Sequence, residues 1–203
     1  MTNSLRCLAL FAVVALASPS SARAGILASY TGGTIDPNAS GYFFGTSIHT
    51  GSQGPAHDLQ FTFLGTNGTT PVASGTIYLL SSPYAGTPTA LSSSTAGYLD
   101  SAVASGGIYT FNAATTVQAD TDYYIYLATS VLHMGYGIPG GNVSAYQATS
   151  PTSNYTTFNG IQLNHQLTGT VDTSTVPEPS TMALALSGLA AAGIAVLRRR
   201  TVA

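Results

Sequence analysis

The chain has 203 residues, with five Lys or Arg, seven Asp or Glu, four His and a formal net charge of -2. All five basic residues are arginines near the two ends (Arg6, Arg23 and Arg198 to Arg200), so residues 25–175 hold six aspartates and no lysine or arginine, a charge of about -6. No basic patch is available there to neutralise phosphates, which excludes nucleic-acid binding, and solubility must come from Ser, Thr, Asn, Gln and Gly.

Residues 1–24 have the three-part build of a secretory signal peptide. Arg6 supplies the positive region and Cys7 to Ala17 the apolar run, which is too short to span a bilayer stably. Ala22-Arg23-Ala24 is an A-x-A cleavage site with Ala22 and Ala24 at its small positions, making Gly25 the first mature residue. The one cysteine, Cys7, falls inside this segment, so the expected mature chain has no disulfide and no thiol chemistry.

Residues 25–175 read as one domain of short strands rich in Tyr, Phe, Ile, Val and Thr, punctuated by Gly, Pro, Asn and Ser. Strands are expected at Ile26–Tyr30, Tyr42–His49, Leu59–Phe63, Gly75–Leu80 and Ile108–Phe111, the last after a Gly106-Gly107 turn. Further strands are expected at Asp122–Thr129, Val143–Gln147, Tyr155–Phe158 and Ile161–Leu167. Alternation places Leu59, Phe61 and Phe63 on one buried face, and Ile77 and Leu79 opposite Thr76 and Tyr78. In 122–129, Tyr123, Ile125 and Leu127 face one way and Tyr124 and Tyr126 the other, so both faces are aromatic or aliphatic and the strand should be central or covered on both sides. With no sustained helical period, the fold class is all-β: a single antiparallel β-sandwich, jelly-roll-like.

Chemistry is sparse in this region. Gly45-Thr46-Ser47-Ile48-His49 approaches a nucleophile elbow but lacks its last glycine, and the expectation is that the protein is not an enzyme, with no catalytic residue. Asp120 and Asp122 precede a strand, where Asp commonly sets a turn; the sharper alternative is a Ca²⁺ site on the two carboxylates with backbone oxygens. No other cofactor is expected. His49, His57, His133 and His165 lack metal-ligand spacing, and His57-Asp58 reads as a hydrogen-bonded pair or a polar strand entry. Most of the twelve tyrosines are expected in the core, leaving Tyr84, Tyr98 and Tyr136 as candidate ligand-binding residues able to stack on sugars.

Residues 176–203 change character. Val176-Pro177-Glu178-Pro179-Ser180 is a rigid extended segment, 181–197 (TMALALSGLAAAGIAVL) carries no charge, and Arg198-Arg199-Arg200 follows. As a helix, 181–197 would span about 25 Å at roughly 1.5 Å per residue, a marginal transmembrane helix. The trailing arginines stop transfer and set a cytoplasmic C-terminus. The order of these three pieces resembles the PEP-CTERM sorting tail of surface proteins from exopolysaccharide-producing Gram-negative bacteria. That resemblance implies an exosortase as partner, recognition at Pro177, Glu178 and Pro179, and transient anchoring in the inner membrane before processing. Gly75–Leu80, Gly86-Thr87-Pro88 and Ala119–Leu127 also resemble stretches of the extracellular β-sandwich domains called choice-of-anchor domains, which implies the same fold. The combined expectation is a non-enzymatic cell-surface or extracellular-matrix protein with a structural or adhesive role in exopolysaccharide and biofilm. The alternative is a carbohydrate-binding module, Ca²⁺-dependent or not.

Overall fold

The computed structural model describes residues 21–34, 41–72, 74–130, 134–139 and 142–173; the transmembrane helix, the sorting motif and most of the signal peptide expected above lie outside them. The described residues form twelve strands: β1 (Ser21–Tyr30), β2 (Phe43–His49), β3 (Ala56–Phe63), β4 (Thr76–Leu80), β5 (Tyr98–Ser105), β6 (Ile108–Thr110), β7 (Asp122–Leu127), β8 (Tyr136–Gly137), β9 (Ser144–Ala148), β10 (Thr156–Asn159), β11 (Gln162–Leu163) and β12 (His165–Thr173). One short 3₁₀ turn, Pro88–Ala90, interrupts the loop after β4. Among the described residues no helix is long and apolar enough to cross a membrane.

Ten strands make one sheet in the order β1-β12-β3-β6-β5-β4-β7-β2-β9-β10, and β8 pairs with β11 as a separate ribbon. The all-β expectation is met, and the layers are the two halves of one curled antiparallel sheet joined through β5. Tyr98 to Val103 of β5 pair with β4, whereas Ala104 and Ser105 pair with β6 in the other half. The turn at this corner runs through Gly106 (φ 61°) and Gly107 (φ 81°), two consecutive left-handed residues of the kind a two-residue hairpin requires.

The curl encloses the main core. Leu59, Phe61 and Phe63 of β3, Ile77 and Leu79 of β4, and Ile125 and Leu127 of β7 are fully buried in it, with Tyr123 almost so. β7 lies between β4 and β2 and is covered on both faces, as its sequence requires. Its outward residue Tyr126 centres a second cluster with Phe43, Leu80, Leu91, Tyr146 and Tyr155. Here the loop after β4 folds over the sheet: the Tyr84 backbone N–H donates to the Tyr126 hydroxyl at 2.8 Å. The Tyr126 ring packs over Gly45, its cross-strand partner; a Cβ there would lie 2.6 Å from the ring, so only glycine fits. Buried Asn164, between β11 and β12, accepts from the Gly33 N–H at 2.8 Å and donates to the Gly33 and Gly65 carbonyls at 2.7 and 2.8 Å. That one amide pins three segments distant in sequence and leaves no polar atom of its own unpaired.

Two departures from the expected strands have a physical cause. β5 has no counterpart in the sequence reading, because its core-facing positions are Ala102 and Ala104 while Leu99 and Val103 face solvent. The stretch Ile161–Leu167 is broken at Asn164, so it supplies β11 to the ribbon and β12 to the main sheet.

Candidate functional site

The end of β2, the start of β3, the start of β7 and the end of β12 carry most of the described His and Asp side chains. His49 closes β2, and its Nδ1 lies 2.7 Å from an Asp122 carboxylate oxygen while its Nε2 lies 3.1 Å from one of Asp120. His57 in β3 is held in the same manner, with Asp58 at 2.8 Å from Nδ1 and Asp172 of β12 at 3.4 Å from Nε2. Asp58 (φ 51°) and Asp120 (φ 53°) are the described non-glycine residues with left-handed backbones, a conformation Asp tolerates better than most. The two hydrogen bonds, first that to Asp122 and then that to Asp120, hold the His49 pKa above its ordinary 6.5. An imidazole facing a carboxylate on each side satisfies both as the doubly protonated cation. Asp120 and Asp122 therefore converge on an imidazole 71 and 73 residues away in sequence. Among the described residues no group of three or more His, Cys, Asp or Glu is arranged to hold a metal ion.

Ser47 and His49 share a strand but not a hydrogen bond. The Ser47 hydroxyl accepts from the Ser144 N–H at 2.8 Å and lies 3.2 Å from the Ser144 carbonyl, while both His49 nitrogens face aspartates. His165 is fully buried, stacked on Phe61 with ring centroids 5.8 Å apart, and burial lowers its pKa to about 4. His133 lies outside the described residues. The Asp100 carboxylate accepts from the Ser101 and Asn112 backbone N–H groups, both at 2.7 Å, and from the Thr115 hydroxyl at 2.6 Å, so it shapes a loop.

The three candidate tyrosines are not brought together. Tyr84 is half-buried on the second cluster, T-shaped against Tyr126 and Tyr155, with its hydroxyl donating to the Thr87 carbonyl at 3.0 Å. Tyr98 packs against Tyr78 on the same cluster, its hydroxyl 3.2 Å from that of Ser101. Tyr136 is elsewhere: with Phe44, Gln147, Phe158, Ile161 and Leu163 it lines a cleft of about 140 Å³. Phe158, Ile161 and Gln147 were not singled out in the sequence. The period-two pattern that puts Phe158 on a strand gives no hint that its inner side is left partly uncovered.

Ala22 and Ala24 lie on the exposed start of β1; a cut after Ala24 would remove only that stretch and leave Leu27, the first buried residue of the strand. Pro177, Glu178, Pro179 and Arg198 to Arg200 lie outside the described residues.

In comparison with known families, residues 175–200 match the model of the PEP-CTERM protein-sorting motif. No curated protein matches the chain. The motif belongs to exported proteins that pass through a membrane-anchored precursor and are sorted and processed by an exosortase. It begins two residues after β12 ends at Thr173.

Proposed function

We propose that this protein is a non-enzymatic component of the cell surface or extracellular matrix of a Gram-negative bacterium. Its β-domain is delivered by the sorting tail into the exopolysaccharide layer and serves there as a structural or adhesive unit within biofilm. The observation that carries this reading is the direct passage from the last strand of the domain into the sorting motif at 175–200. A structural role is supported by Ser47 and both His49 nitrogens being committed to other partners, so no nucleophile meets a base at the one elbow-like segment. An adhesive role suits a surface that carries hydroxyls and amides in place of basic charge.

The test is intact-mass measurement of the protein recovered from the native surface, alongside Glu178→Ala and a chain lacking 176–203. Retention of the tail in Glu178→Ala and its loss from the parent protein are expected. If the truncated chain reaches the same place in the same form as the parent, the sorting reading fails.

A second reading, a carbohydrate-binding module, is favoured by the aromatic cleft at Tyr136. A Ca²⁺ requirement involving Asp120 and Asp122 is part of that reading. A cation would have to displace the His49 imidazole, so a chelator-sensitive sugar affinity is its signature.

A further inference from the structure

The two halves of the curled sheet are unequal in width. Four strands, β1, β12, β3 and β6, stand on one side of β5 and five, β4, β7, β2, β9 and β10, on the other. Register places Phe44 beside Gln147 and Ala145 beside Phe158, so these four side chains share the inner face of β2, β9 and β10. The short β8–β11 ribbon supplies Tyr136 and Leu163, a cross-strand pair, with Ile161 one residue before β11. The gap left among these residues measures about 140 Å³.

Its size, walls and charge each restrict what can enter. A cavity of roughly 150 Å³ accommodates one six-membered ring and little more. The lining includes the aromatic rings of Phe44, Tyr136 and Phe158, a residue type whose faces pack well against aliphatic C–H groups. Gln147 and Tyr136 add an amide and a hydroxyl to the lining, and a polar group left unpaired against an apolar ring costs about 1–3 kcal/mol. The lining holds no Lys, Arg or His, and residues 25–175 hold six aspartates without a lysine or arginine, so an anionic ligand meets no counter-charge. The approach is open: Phe158 is 39% exposed, and among the described residues no strand pairs with the outer edge of β10.

We propose that this cleft binds one uncharged pyranose ring of a polysaccharide, its C–H face on the aromatic residues and its hydroxyls on Gln147 and Tyr136. The inference rests on the adhesive reading and gives it a location. Recognition is of a ring within a longer chain, because the cleft holds a single unit and the polymer continues past the open edge.

The experiment is ligand-observed saturation-transfer NMR on the mature protein recovered from the cell surface. The probes are the methyl glycosides of glucose, galactose and mannose, with methyl glucuronide and cyclohexanol as the anionic and apolar controls. At least one neutral glycoside is expected to saturate, with the glucuronide about tenfold weaker or more. Phe158→Ala and Tyr136→Ala should each weaken binding by about tenfold, the loss of one stacking face. Tyr84→Phe should leave it unchanged. Phe158 is exposed, so its variant stays informative if Tyr136→Ala proves unstable in a thermal melt. Equal binding of glucuronide, binding of cyclohexanol alone, or glycoside binding indifferent to Phe158→Ala overturns the proposal. Co-sedimentation with the native exopolysaccharide separates the two levels. Retention of polysaccharide by both variants keeps adhesion and removes the cleft; failure of the parent protein to bind polysaccharide or any glycoside removes both.

Discussion

At the residue scale, residues 25–175 hold no lysine or arginine, which leaves histidine as the side chain able to carry positive charge there, and the structure treats two of the four oppositely. His165 is buried, and its pKa falls to about 4 from 6.5 because charging it inside the core is unfavourable. The unfolded chain therefore takes up a proton first, so stability is full above about pH 6.5 and is lost as pH falls towards 4. The loss is on the order of 3 kcal/mol. Denaturant melts at pH 7, 5.5 and 4 should show the decline, and His165→Gln should flatten it. His49 is shifted the other way, by Asp122 foremost and Asp120 second. Its contribution is present below the unfolded pKa and fades as pH rises through the folded one. In an NMR titration its midpoint should lie above 6.5, and Asp122→Asn should lower it more than Asp120→Asn. An unchanged midpoint in both variants would mean that the carboxylates do not hold the ring. The His49 partners lie more than 70 positions away and no local pattern points to them, whereas the adjacent His57-Asp58 pair is legible in the sequence and only its second partner, Asp172 on a neighbouring strand, is not.

At the scale of elements, legibility followed side-chain size. β3, β4 and β7 were visible because large apolar residues alternate with their neighbours, and each faces as the alternation demands. β5 was invisible because its core-facing positions, Ala102 and Ala104, are small and give no large apolar alternation. Ala102 is buried there, while Val103 is 68% exposed. The pair gives a direct contrast. Ile125→Ala, in the centre of β7, should cost about 2–5 kcal/mol through the cavity it opens. Val103→Thr should change stability by no more than about 0.5 kcal/mol. Similar losses from both would mean that the outer face of β5 is covered by something beyond the described strands. Of the cleft residues the sequence points to Tyr136 alone; Phe44, Gln147, Phe158, Ile161 and Leu163 join it through pairing between separate strands, which no local pattern encodes.

At the scale of the whole molecule, the two ends of the domain are neighbours: β12, the last strand, lies between β1, the first, and β3. A strand paired on both flanks ties β1 to the rest of the sheet, and its buried Leu167 and Val171 complete the core from that side. The ribosome makes this strand last, and it follows the rest of the domain through the export channel. Until it arrives, β1 has no partner in the sheet, β3 lacks one of its two, and the longest-range contacts of the fold are unmade. A chain ended after Gly160 should thus remain open to protease, whereas one ended after Thr175 should resist it. The exported thread cannot shut early, so completion of the barrier against proteolysis and emergence of the sorting signal become a single event in time.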